Sequence, residues 1–232
     1  MRTTSQLAAV FVVASLSPAT AAAQRVVMVH EEPRHRLIHE TTDLRVLDVQ
    51  IQPGDTTLFH THDGPITYVT IGTSSTDQMA LGGAWNGTQP RNPPPGRIGA
   101  VRAVQSYADT PLTHRVTNVG STLFRLIAVA TRRPGSDSDA SEPLPGELVN
   151  ESRWFRHATV FLGAGGASDW QTSANPIVLV LIRDSRVAIE RSDGWVTSLE
   201  MAGQSTILEA GERYLIRNGG AEAADVVIVE VR

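Results

Sequence analysis

Two histidines, His60 and His62, stand one residue apart in a stretch that reads as a β-strand. Side chains at i and i+2 of a strand leave the same face, so both imidazoles can converge on one ion. A third, His114, opens another alternating apolar stretch. Three imidazoles on neighbouring strands make a facial ligand set that leaves positions for water or substrate. The rest of the composition narrows the chemistry. There is no cysteine, and the 20 basic residues are all arginine. Thiolate nucleophiles, disulfides, iron–sulfur clusters, cysteine zinc sites and lysine Schiff bases are therefore excluded. Acid/base, hydroxyl and metal chemistry remain, with seven histidines to supply it. The net charge is −4 and no basic block occurs, which argues against nucleic acid and anionic membrane surfaces as partners. A small-molecule ligand or substrate is the expected partner; a homodimer is left open.

The elements that must position these residues are strands. Apolar alternation of period two marks 44–51, 66–71, 100–104, 123–130, 158–162, 176–182, 186–190, 195–201, 213–216 and 225–231. No helical stripe longer than two turns appears among them. Many short strands at close spacing indicate a sandwich or barrel, an all-β fold. Residues 1–23 differ: Arg2, an apolar run Leu7–Leu16, then Ala21-Ala22-Ala23 before Gln24. That pattern describes a secretory signal peptide, cleaved after Ala23, and predicts a periplasmic or secreted protein with no membrane contact after cleavage. A polar, Pro/Gly-rich stretch at 133–150 reads as a linker between units at 24–132 and 151–232. Gly82–Arg97 reads as a long loop, with Trp85 and Arg91 as candidate lid residues.

The two units repeat each other. Gly54, five residues, His60-Thr-His62 and Pro65 match Gly165, five residues, Gln171-Thr-Ser173 and Pro176 at one constant offset. His114-x3-Asn118 matches Tyr214-x3-Asn218 in the same way. Gly54-x5-His60-x-His62 and His114-x3-Asn118 resemble the two signature motifs of the cupin superfamily, and their duplication resembles a bicupin. The resemblance covers about residues 40–232, with Pro111 where the family usually has glycine. It implies tandem double-stranded β-helix (jelly-roll-like) barrels. It also implies one divalent metal on His60, His62 and His114 in the first barrel, with Fe(II) favoured over Zn, Mn or Ni. The family's glutamate ligand should fall at Ile66 or Thr67, and neither replaces it. Three histidines without a carboxylate are known in some cupin oxygenases. Gln171, Ser173 and Tyr214 make no transition-metal site, so the second barrel is expected to be degenerate: structural, or a metal-free pocket.

Other residues carry two readings each. Tyr68, on the face of Ile66, either supplies a proton or orients oxygen as a catalytic residue, or packs as a barrel aromatic. Asp63 either fixes an imidazole tautomer or caps a turn. His30, His35 and His39 read as a solvated polar arm, and His157 as a satisfied core or interface histidine. Arg132 and Arg133 read as linker charges. The leading functional expectation is a three-histidine Fe(II) dioxygenase of a small organic substrate. The alternatives are a non-catalytic exported metal- or ligand-binding protein, or a Zn-, Mn- or Ni-dependent isomerase or lyase.

Overall fold

The computed structural model describes residues 24–87, 96–136 and 143–232. The signal reading at 1–23, the lid residue Arg91 and the middle of the linker lie outside the described residues. What is described is all-β, with strands numbered here in chain order. One four-stranded sheet has the order β1 (Val26–Met28), β4 (Phe59–His62), β8 (Leu112–Asn118), β6 (Thr76–Ala80). It faces a five-stranded sheet in the order β2 (His35–Glu40), β3 (Leu44–Ile51), β9 (Phe124–Thr131), β5 (Ile66–Gly72), β7 (Val101–Val104).

The second half repeats this plan. Its five-stranded sheet runs β10 (Glu147–Glu151), β11 (Phe155–Leu162), β18 (Ala224–Val231), β13 (Ile177–Leu181), β16 (Ser205–Leu208). Its four-stranded sheet runs β12 (Gln171–Thr172), β17 (Arg213–Asn218), β14 (Val187–Arg191), β15 (Val196–Leu199).

Alternation decides what each strand face buries. On β3, Leu47, Val49 and Ile51 turn into the first sandwich, together with Ile66 and Ala128. Leu44 and Val46 turn the other way and meet Val178, Val180, Val227 and Val229 of the second half. The two five-stranded sheets therefore pack on each other through their outer faces. That is why β13 is apolar on both faces, Ile-Val-Leu-Val-Leu, with every residue buried. Polar contacts cross the same seam. Asp48, 1% exposed, holds Arg125 at 2.9 Å, and that arginine also donates to the Ala202 carbonyl. Thr67 Oγ1 lies 2.8 Å from His157 Nε2, so His157 is an interface histidine with a partner, one of the readings its sequence position allowed.

The repeated motif residues have local physical causes. Gly54 and Gly165 sit at φ 80° and 70°, left-handed values that a side chain rarely adopts, and both close the turn before the motif strand. Asn118 and Asn218 are fully buried. Each amide donates to carbonyls of the preceding and following loops, Ile51 and Thr122 in one case, Leu162, Gly163 and Glu222 in the other. Each side-chain oxygen accepts an N–H two residues on. They staple the hairpin ends whatever the barrel contains.

Three expectations about the chain's polar stretches change. The end of the segment read as linker is strand: Glu147–Glu151 forms β10, on the edge of the second sheet against β11. All five residues are exposed, so the strand carries no burial alternation and its sequence looks like a loop. Likewise His35–Glu40 is not a solvated arm but β2, an edge strand with His35 buried at its start. Arg133 is also more than a free linker charge: it reaches Asp43 in the first half and Asn175 in the second.

Candidate metal centre

The antiparallel register of β4 and β8 sets His60 directly opposite His114, and His62 lies two residues along on the same face. The three residues are 1%, 4% and 8% exposed, in the order His60, His62, His114. Their ligand nitrogens all lie within 4.8 Å of one another, and the closest pair, Nε2 of His62 and Nε2 of His114, is 3.1 Å apart. Ligands on adjacent vertices of one ion, each about 2.1 Å from it, are separated by about 3.0 Å in an octahedron and about 3.4 Å in a tetrahedron. The closest pair therefore has the spacing of two ligands on one ion. The sequence-derived set is thus brought together inside the first sandwich.

Backbone and side-chain acceptors orient the rings. His60 Nδ1 donates to the Leu58 carbonyl at 3.0 Å, and His114 Nδ1 donates to Gln78 Oε1 at 3.1 Å. With the proton fixed on Nδ1, each Nε2 keeps its lone pair for the centre, the arrangement that outer partners impose on metal-binding imidazoles. The Leu58 segment is itself anchored: buried Glu32 accepts the Leu58 N–H at 3.1 Å. Burial is the largest cause of the low basicity of these rings. It takes His60 and His114 down to about 3 and His62 to about 2, with the neighbouring imidazoles adding to it. At neutral pH all three are uncharged, the state in which imidazole binds a cation.

Sequence reasoning missed three residues here. His35 is 5% exposed, and its ring meets His60 edge-on with centroids 4.5 Å apart. Its Nδ1 donates to the Val29 carbonyl at 3.0 Å, and burial lowers its pKa to about 4. It makes a fourth imidazole beside the three. Gln78 on β6 and Tyr107, stacked on His62 at 4.9 Å, complete the surround. None of these has a spacing signal; they arrive through strand pairing and a short 3-10 turn (Ser106–Ala108) after β7.

The cluster opens on a cavity of about 930 Å³ between the two sheets. Ile66, Tyr68 and Thr70 line it from β5, as period two requires, whereas Thr67 points into the seam between the halves. The position opposite the histidines where a carboxylate was missed is therefore Ile66. Restoring one with Ile66→Glu is expected to tighten Zn(II) or Fe(II) binding about 10-fold or more by adding a charged ligand. The same change should lower the melting temperature of the metal-free protein, because an unpaired carboxylate is then buried. Chelator competition and thermal melts of the two forms check both signs.

Tyr68 faces the cavity, and burial pushes its phenol well above the usual range, so it is a proton donor and not a phenolate at neutral pH. Asp63 is exposed beyond the end of β4; the imidazole partners described are Leu58, Val29 and Gln78 instead. Trp85 corrects the lid expectation. It bridges to Met79 and packs its ring on the guanidinium of Arg115, 4.8 Å away. Arg115 follows His114 on β8, so it lies on the sheet face away from the histidines.

No family model and no curated protein matches the sequence. Solved structures do match the fold. AerE from Microcystis aeruginosa has 9% identity over 87% of this chain and 98% of that chain, with a TM-score of 0.59. A cupin 2 conserved barrel domain protein from Leptotrichia buccalis has 11% identity over 84% of this chain and 87% of that chain, with a TM-score of 0.51. The chain has the cupin fold. A salicylate 1,2-dioxygenase from Pseudaminobacter salicylatoxidans shares it at 10% identity, over 85% of this chain and 76% of that chain, with a TM-score of 0.57. In the second half of this cupin-fold chain, Gln171 pairs with Tyr214 as His60 pairs with His114. Tyr214, 1% exposed, packs there in a core with Leu179, Leu181, Ile189 and Ile228. Ser173 turns its hydroxyl to Glu230, itself paired with Arg156 at 2.9 Å. Where the first half holds its histidines, the second holds packed side chains and an ion pair.

Proposed function

We propose that this is an exported protein that holds one divalent ion on His60, His62 and His114 and carries out dioxygenase chemistry on a small organic molecule, with Fe(II) as the ion. One observation carries the reading: three buried, neutral imidazoles converge from facing strands, two of them with their tautomers fixed so that Nε2 faces the centre. Three neutral ligands leave the ion its full charge and leave open positions, so when bound it supplies a site for dioxygen and for an electron-rich substrate oxygen. The chain's own residues do the rest. The apolar wall of Val49, Ile51, Phe124 and Leu126 excludes water and seats an apolar ligand body. Tyr68 keeps a proton at its phenol oxygen, available to a substrate in the cavity. A neighbour of the same fold, the salicylate 1,2-dioxygenase, has been crystallised with gentisate, which supports a small aromatic acid as the kind of molecule to try first.

The test is nitric oxide binding to the Fe(II)-loaded protein under anaerobic conditions, read by electron paramagnetic resonance. Nitric oxide stands in for dioxygen at an open ferrous position. The high-spin ferrous–nitrosyl signal is expected in the wild type and not in His114→Ala. Bound iron without that signal would leave the non-catalytic binding protein as the reading. Export is tested separately, by N-terminal sequencing of the chain recovered outside the cytoplasm, which should begin at Gln24.

A further inference from the structure

The cavity above the histidines has an uneven charge. Its walls are apolar on one side, and the only lining residue with a fixed charge, among those described, is Arg102. Among the described residues no carboxylate lines it. Arg102 sits on β7 directly opposite Tyr68 on β5, so the two side chains leave the same face of the sheet. Tyr107 follows on the turn after β7 and reaches His62. Arg102 is itself exposed, so its guanidinium stands where the cavity meets solvent. Among the described residues the Arg102 side chain forms no ion pair or hydrogen bond, and neither do the two phenol hydroxyls. The other arginines near the fold's core are committed: Arg125 to Asp48, Arg156 to Glu230, Arg45 to Glu40. Three groups that donate hydrogen bonds, none with a protein partner among the described residues, thus line the cavity together. A guanidinium has five donors and no acceptor, and each phenol hydroxyl adds one donor.

We propose that Arg102, with Tyr68 and Tyr107, is the specificity-determining group of this cavity and reads the carboxylate of a small organic acid whose apolar body lies along the Val49–Phe124 wall. The inference deepens the metal-dependent reading and rests on it for the purpose of the site, though not for the acid's recognition. A guanidinium suits a carboxylate because its paired N–H donors match the two oxygens. A neutral isostere of the acid would offer the guanidinium no counter-charge.

Benzoate and benzamide serve as probes because they share a shape and differ in charge. Their binding to the full chain is measured by calorimetry, metal-loaded and metal-free, with metal content determined on the same samples. Benzoate is expected to bind about 10-fold or more tighter than benzamide in both forms. Arg102→Gln should remove that preference, weakening benzoate about 10-fold and benzamide about 2-fold or less, with metal content unchanged. Arg102→Lys should recover part of it, since a point charge lacks the paired donors. Equal binding of the two probes, a preference retained in Arg102→Gln, or no binding of either at millimolar concentration would each overturn the proposal. Loss of metal binding with the Arg102-dependent preference intact would instead strike the metal-dependent reading and leave this one standing.

Discussion

Replacing His114 by alanine is expected to cost the protein its metal: the dissociation constant for Zn(II) or Fe(II) should rise more than about 100-fold, beyond the 10–100-fold typical of losing an outer-shell partner. His114 supplies a ligand from β8, while both others come from β4, so removing it leaves two nitrogens on one strand and opens one side of the centre. His60→Ala should act alike. Gln78→Leu, which removes only the acceptor of the His114 Nδ1 proton, should fall within the outer-shell range. Chelator competition on the folded variants measures all three. A His114→Ala protein that binds as tightly as the wild type would show that the imidazoles are a packed cluster and not a ligand set.

The second large effect is acid sensitivity of the metal-free protein. Five buried imidazoles titrate below the ordinary value of 6.5: His35 and His157 at about 4, His60 and His114 at about 3, His62 at about 2. Burial is the first cause in every case. The folded state therefore resists protons that the unfolded chain accepts. The stability from these rings is complete above pH 6.5 and falls as the pH drops from there toward 4, by up to about 1.4 kcal/mol per pH unit for each ring. Ordinary carboxylates titrate lower, so the window between pH 6.5 and 5 belongs to the histidines. Thermal melts of the chelator-treated protein should lose about 10 °C or more between pH 7 and 5. A melting temperature unchanged across that range would mean that the rings are hydrated or already protonated.

Much of this centre was legible in the sequence because it depends on short-range rules. The His-x-His spacing and strand alternation are enough to put His60 and His62 on one face. Gly54 and Gly165, with left-handed φ, and Asn118 and Asn218, with their loop-stapling amides, recur because backbone geometry demands them in each copy. What stayed hidden depends on pairing between distant strands. His35 lies at the head of an edge strand whose burial does not alternate, so nothing local marks it off from a polar arm. Arg102 becomes informative only once the β5–β7 register sets it against Tyr68. Strand β10 is exposed throughout and borders a proline-rich stretch, which masks it as linker. The missing glutamate was visible as an absence, but which of Ile66 and Thr67 faces the cavity needed the sheet.

The central claim is that one ion sits on three imidazoles in the first half of the chain and none in the second. X-ray absorption at the metal edge of the untagged, metal-loaded full chain tests it most directly. One ion per chain is expected, with three nitrogen donors about 2.0–2.2 Å away that carry the multiple-scattering pattern of imidazole rings. A shell made of oxygen donors alone, or one with fewer than two imidazoles, would contradict it.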